Sequence, residues 1–134
     1  MVAAAYADTP FFIATINPDD DLHAAARRAL HELAPGTQLK TCVSVIIEAL
    51  EYFSSGPALR QAASELVRTV LQEGSVKLIA LDARLLHEAF WFYNARPLYS
   101  FTECISIRTC QRERIGDVLT HNPHFTDERL RVLF

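Results

Sequence analysis

Four side chains in this 134-residue chain combine an oxygen donor with a position that chemistry favours. Asp8 closes a short apolar run, Val2 to Tyr6, of the kind that forms a buried strand. Glu48 stands inside an otherwise apolar stretch, Val43 to Leu50, where a glutamate is seldom buried unless paired or bound to a metal. Glu103 falls in the first turn of a helix expected over Phe101–Arg112, and Asn122 lies two residues past a strand ending at Thr120. Each has an ordinary reading when taken alone: Asp8 as a helix cap, Glu103 as a partner of the helix dipole, Glu48 as a side chain reaching solvent. Gathered at one edge of a sheet, they form the hard oxygen set that Mg²⁺ or Mn²⁺ takes, with water completing the octahedron. Sites of that kind hydrolyse phosphodiesters.

The elements that must carry these residues alternate. After the first strand, Asn17-Pro18-Asp19-Asp20-Asp21 makes a turn and a helix start. Leu22, Ala26, Ala29, Leu30 and Leu33 then mark one buried helical face, ended by Pro35-Gly36. A short strand is expected over Leu39–Cys42, and a helix over Val43–Phe53 with Val43, Ile46, Ile47, Leu50 and Phe53 on its inner side. A helix over about Ala58–Gln72 turns Leu59, Ala62, Ala63, Leu66, Val67, Val70 and Leu71 inward. Strand Val76–Leu81, helix Ala83–Asn94 and helix Phe101–Arg112 follow, with brief strands over Asp117–Thr120 and Leu130–Phe134. Alternation of this kind predicts one α/β domain over residues 1–134, a mainly parallel central sheet flanked by helices. Ligands of such sheets bind beyond the carboxyl ends of the strands, where Asp8 and Asn122 fall.

Composition narrows the class. Half of the residues are hydrophobic and the formal net charge is −3, so the chain is neither disordered nor strongly basic. The acidic excess lies in residues 1–67, with 4 basic and 8 acidic side chains; residues 68–134 carry 9 basic and 8 acidic. From Arg84 onward all seven basic residues are arginines, best read as a solvated mixed-charge surface. Three cysteines without CxxC spacing read as small buried residues, and no HExxH, P-loop or GxGxxG is present. No stretch approaches a membrane span, and the alanine-rich start lacks a basic n-region, so a cytoplasmic location is expected. The aromatic block Phe90–Tyr93 cannot turn four consecutive rings into one core, and its exposed remainder suits a homodimer interface.

Five stretches then carry a resemblance: Ala7-Asp8-Thr9-Pro10-Phe11-Phe12, Asp20-Asp21-Leu22-His23-Ala24-Ala25-Ala26, Thr41-Cys42-Val43-Ser44-Val45-Ile46-Ile47-Glu48, Tyr99-Ser100-Phe101-Thr102-Glu103-Cys104-Ile105-Ser106, and Val118-Leu119-Thr120-His121-Asn122-Pro123-His124-Phe125. In order and spacing the chain resembles PIN domains, and within them the VapC-like toxin ribonucleases of bacterial toxin–antitoxin pairs. The resemblance implies a Mg²⁺- or Mn²⁺-dependent endoribonuclease in which Asp8, Glu48 and Glu103 hold the metal and Asn122 is a fourth catalytic position. It implies an RNA substrate, a homodimer and a small antitoxin protein that blocks the site. Glu103 and Asn122 both stand where the family has Asp: the first keeps the charge with one more methylene, the second loses it. Asp117 and Asp127 lie nearby in sequence as further acids. Thr9, Ser100, His121 and His124 are the expected substrate contacts, with local packing an equal reading for the two histidines. Two other readings stand beside this one. A domain of the same fold without cleavage would bind RNA or protein. An aspartate phosphatase would want a second acid two residues after Asp8, where Pro10 stands.

Overall fold

The computed structural model describes residues 3–134. Val2, the expected start of the first strand, lies outside them. Among the described residues twelve elements follow one another, strands separated by one or two helices, beginning with β1 (Ala4–Ala7), α1 (Thr9–Ile16), α2 (His23–His31), β2 (Gln38–Cys42), α3 (Val43–Tyr52) and α4 (Pro57–Glu73). They continue with β3 (Val76–Ile79), α5 (Ala83–Ala95), α6 (Phe101–Glu113), β4 (Asp117–Leu119), α7 (His124–Asp127) and β5 (Arg131–Val132). The strands form one five-stranded sheet in the order β3-β2-β1-β4-β5, and every neighbouring pair is parallel. The fold is therefore the α/β class that the alternation predicts.

β1 is the central strand, and its AAYA sequence shows why. Ala5, Tyr6 and Ala7 have no exposed surface, as expected for a strand covered on both faces. Chain order reverses beside it: β2 and β3 extend the sheet to one side, β4 and β5 to the other. Ala7 pairs with Leu119, so Asp8 and Thr120 emerge side by side from the ends of β1 and β4. Parallel sheets open a crevice at such a reversal.

Local sequence explains several helix ends. Pro10 and Pro57 sit in the first turns of α1 and α4, where their missing N–H costs nothing. Asp82 accepts from the Leu85 N–H at 2.8 Å and Ser100 from the Glu103 N–H at 3.1 Å, capping α5 and α6. Gly74 closes α4 with φ +65°, a backbone state that favours glycine. A buried Tyr6 hydroxyl donates to Ser106 Oγ at 2.9 Å and accepts from the Cys42 N–H at 3.3 Å, tying α6 and β2 to the central strand.

Three expectations need correction. The inner face of α3 is Ser44, Val45, Ile46 and Ala49, while Ile47 is 55% exposed. The buried face lies further round the helix than expected, and Glu48 is left half-buried beside it. Leu71, expected inside, is 61% exposed: the buried face of α4 is Ala63, Val67 and Val70, and Leu71, one residue past Val70, turns away from it. The segment Thr9–Ile16 is a helix, and α7 adds one short turn before β5; neither was among the expected elements. The neighbouring isoleucines of α3 give a direct check. Ile46→Ala is expected to cost about 2–5 kcal/mol of stability in urea unfolding, as for other buried isoleucines. Ile47→Ala should change it by no more than about 0.5 kcal/mol.

Candidate active site

Asp8 sits at the N-cap position of α1, yet its side chain makes no capping bond. Instead it is 4% exposed and Oδ2 accepts from the Thr120 hydroxyl at 2.9 Å. Thr120 in turn accepts from the Asn122 N–H at 3.2 Å, so β4 leads directly into the turn carrying Asn122. Glu48 comes from the second turn of α3 and Glu103 from the first turn of α6. Asp8, Glu48, Glu103 and Asn122 all line one cavity of about 510 Å³ with Thr9, Pro10, Ile13, Glu51, Tyr52 and Ser100. The folding thus brings all four of the expected catalytic positions to one cleft.

No lysine or arginine is among the lining residues, against Asp8, Glu48, Glu51 and Glu103. The electrostatic consequence falls on Asp8. Burial pushes its carboxyl up from 3.8 to about 6, with Glu48 and Glu103 adding to the rise and the Thr9 N–H and Thr120 hydroxyl opposing it. A buried acid next to other acids, with no cation beside it, is a site that a positive charge would stabilise.

Glu103 is differently engaged. His124 Nδ1–H donates to its Oε2 at 2.7 Å, and the His124 ring stacks on Tyr99 with centroids 4.4 Å apart. Asn122 Oδ1 accepts from the His124 backbone N–H at 3.0 Å. Ser100 spends its hydroxyl on the Glu103 N–H while lining the cleft. Thr9 Oγ1 is buried and has no partner. His121 is turned away: its Nδ1–H donates to the Phe134 carbonyl at 3.0 Å and its ring lies over Phe134. Asp117 is paired with Arg131 at 2.9 Å at the opposite end of β4 and does not line the cleft.

The donor set suits a divalent cation in chemistry. Among the described residues no three His, Cys, Asp or Glu side chains approach closely enough to ligate one ion together. Mg²⁺ does not require that, since it keeps several waters and binds through one or two carboxylates. The sequence reading missed Glu51 and Tyr52, which line the cavity beyond Glu48. Glu51 was visible in principle, three residues after Glu48 and so on the same helical face. Of the seven C-terminal arginines, Arg84, Arg96, Arg108, Arg112 and Arg131 are held in ion pairs with Glu88, Glu128, Asp82 and Asp117, as a mixed-charge surface would be. No described helix is long and apolar enough to cross a membrane.

The raised Asp8 carboxyl has a measurable sign. Folded protein holds the proton that unfolded chain releases between about pH 4 and pH 6, so Asp8 favours folding at low pH and this contribution is lost as pH rises through about 6. A rise from 3.8 to about 6 corresponds to about 3 kcal/mol. Asp8→Asn keeps an acceptor for Thr120 without the charge. In chelator the variant should match the natural protein at pH 4 and exceed its stability by up to about 3 kcal/mol at pH 7. Urea unfolding at both values checks this, and a difference independent of pH would contradict it.

Comparisons with known proteins agree with the fold. A family model described as the PIN domain matches residues 5–127. The VapC20 toxin of Mycobacterium tuberculosis, described as cleaving the sarcin-ricin loop, superimposes with a TM-score of 0.77 at 20% identity, over 92% of this chain and 93% of that one. The VapBC2 complex of Rickettsia felis, solved on a DNA fragment from its promoter, contains a chain matching at TM-score 0.70 and 16% identity, over 96% of each. VapBC-1 of nontypeable Haemophilus influenzae gives 0.66 at 11% identity, over 96% of this chain and 95% of that one. No curated protein sequence matches closely enough to count. The matched segment runs from within β1 to the end of α7 and spans Asp8, Glu48, Glu103 and Asn122, and the chain belongs to the PIN domain family.

Proposed function

We propose that the cleft is the active centre of a divalent-metal-dependent endoribonuclease, and that the chain is the toxin of a toxin–antitoxin pair. One observation carries the reading: a buried Asp8, pushed up to about 6, at the sheet's point of reversal in a cleft with acidic walls and no lining cation. In this reading Asp8 holds Mg²⁺ or Mn²⁺ together with one of Glu48 and Glu103, and the other carboxylate acts through a water on the ion. When bound, such an ion supplies the positive charge that polarises a phosphate and eases the loss of a proton from water. The chain's own groups do the rest. In this reading Thr9, which lines the cleft and whose hydroxyl has no partner among the described residues, donates to a phosphate oxygen. Tyr52, 62% exposed at the cleft, offers a ring face to an unpaired base, the form in which RNA is most open to proteins.

Support for the toxin assignment comes from the fold shared with the VapC20 toxin, with chains of the VapBC2 and VapBC-1 structures, and with a chain of a structure described as a toxin–antitoxin complex from Klebsiella pneumoniae. By the same reading a small antitoxin covers the cleft, and the cytoplasm is where both would meet RNA. The exposed side chains of α5, Leu86, Phe90, Trp91 and Tyr93, with Leu98 beyond it, form the face of a homodimer.

The test of activity is cleavage of unstructured RNA by purified protein. Cleavage should require Mg²⁺ or Mn²⁺ and fall on the order of 100-fold or more in Asp8→Ala and in Glu48→Gln, since even residues behind a metal's ligands cost 10–100-fold. Asn122→Asp, which keeps the acceptor for His124 and adds a charge at the cleft, should bind Mn²⁺ more tightly. RNA binding without cleavage under any metal would favour a binding module instead. For the assembly, light scattering should give twice the chain mass at micromolar concentration, and Trp91→Glu should reduce it to one chain.

A further inference from the structure

His124 does not line the cleft, yet it makes the shortest polar contact of any residue in its turn, the 2.7 Å bond from Nδ1 to Glu103 Oε2. Three further contacts fix the ring and its backbone. Tyr99 stacks on it at 4.4 Å with planes 22° apart, the Tyr99 hydroxyl reaches the His124 carbonyl at 3.4 Å, and Asn122 Oδ1 takes the His124 N–H at 3.0 Å. The Asn122 backbone N–H is itself held by Thr120, whose hydroxyl donates to Asp8. A chain of hydrogen bonds therefore runs from Asp8 through Thr120, Asn122 and His124 to Glu103.

Among the described residues nothing else hydrogen-bonds the Glu103 carboxylate. A glutamate has three rotatable bonds, and Ser100 anchors only the Glu103 N–H. With Oε2 committed to His124, Oε1 is left as the oxygen that can face the cavity. The Asn122 side-chain oxygen, by contrast, is already spent on the backbone of His124.

We propose that Asn122 and His124 are positioning residues: they clamp Glu103 so that one carboxylate oxygen is held toward a cation in the cleft, without touching cation or RNA themselves. The inference rests on the metal-binding reading of the cleft. Groups that hydrogen-bond a metal's ligands commonly set its affinity within 10–100-fold, which is the effect expected here.

Calorimetric titration with Mn²⁺ alone, on folded protein verified by thermal melting, tests the clamp. His124→Ala should weaken Mn²⁺ binding about tenfold. His124→Asn places an amide N–H where Nδ1 stood and should restore most of that loss. In a Glu103→Asp background the carboxylate is too short to meet His124, so adding His124→Ala should change affinity less than about twofold. Equal losses in both backgrounds, no loss in His124→Ala, or no rescue by His124→Asn would overturn the clamp, even if the natural protein cleaves RNA. The predicted pattern in a protein that cleaves no RNA would leave the clamp standing and overturn the ribonuclease reading. A natural protein that binds no Mn²⁺ would overturn both.

Discussion

A negative charge buried beside other negative charges is the constraint around which this molecule is arranged. Asp8 is placed at the end of the most deeply buried strand, opposite Thr120, by the parallel pairing of β1 with β4. Its one hydrogen-bonding side chain is a hydroxyl, which offsets only part of the desolvation. Were the site only structural, an apolar residue of similar volume would serve better, since an unpaired buried charge is among the most costly features a fold can carry. Retaining it makes sense if a cation completes the site.

The surroundings follow from that demand. α1 leaves β1 directly at Asp8, α3 leaves β2 directly at Cys42, and α6 enters from the α5–α6 turn, so three helices bring Asp8, Glu48 and Glu103 to one crevice. No lysine or arginine lines the cleft, and Arg96, Arg108, Arg112 and Arg131 are paired with Glu128, Glu88, Asp82 and Asp117 outside it. The cleft consequently keeps its field, and the protein's acidic balance is concentrated where a divalent ion and a phosphate would meet.

Much of this was legible in the residues. Asp8 and Asn122 announced themselves by following short apolar runs, because a strand end in a parallel sheet is also a ligand edge. Glu48 stood out because its neighbours are apolar, although the phase of α3 was misread: with Ile46 and Ile47 both apolar, the pattern does not reveal that Ser44 and Ala49 face inward. α1 escaped because TPFFIATI is apolar nearly all round and shows no helical period. α7 escaped because four residues carry none. The roles of Ser100, His121 and His124 were beyond any one-dimensional pattern, since each depends on a partner: the Glu103 amide, the Phe134 carbonyl and the Glu103 carboxylate. Resemblance supplied the set of four, and the packing supplied the difference between a residue in the cleft and one behind it.

The central claim is that this acidic crevice is a cation site. A crystal of the protein grown with Mn²⁺ and measured at the manganese absorption edge tests it most directly. The account predicts one strong anomalous peak in the cleft within ligand distance, about 2.0–2.3 Å, of Asp8 and at least one of Glu48 and Glu103, with waters filling the remaining positions. A well-ordered cleft without such a peak, or manganese bound only at exposed carboxylates elsewhere, would contradict it.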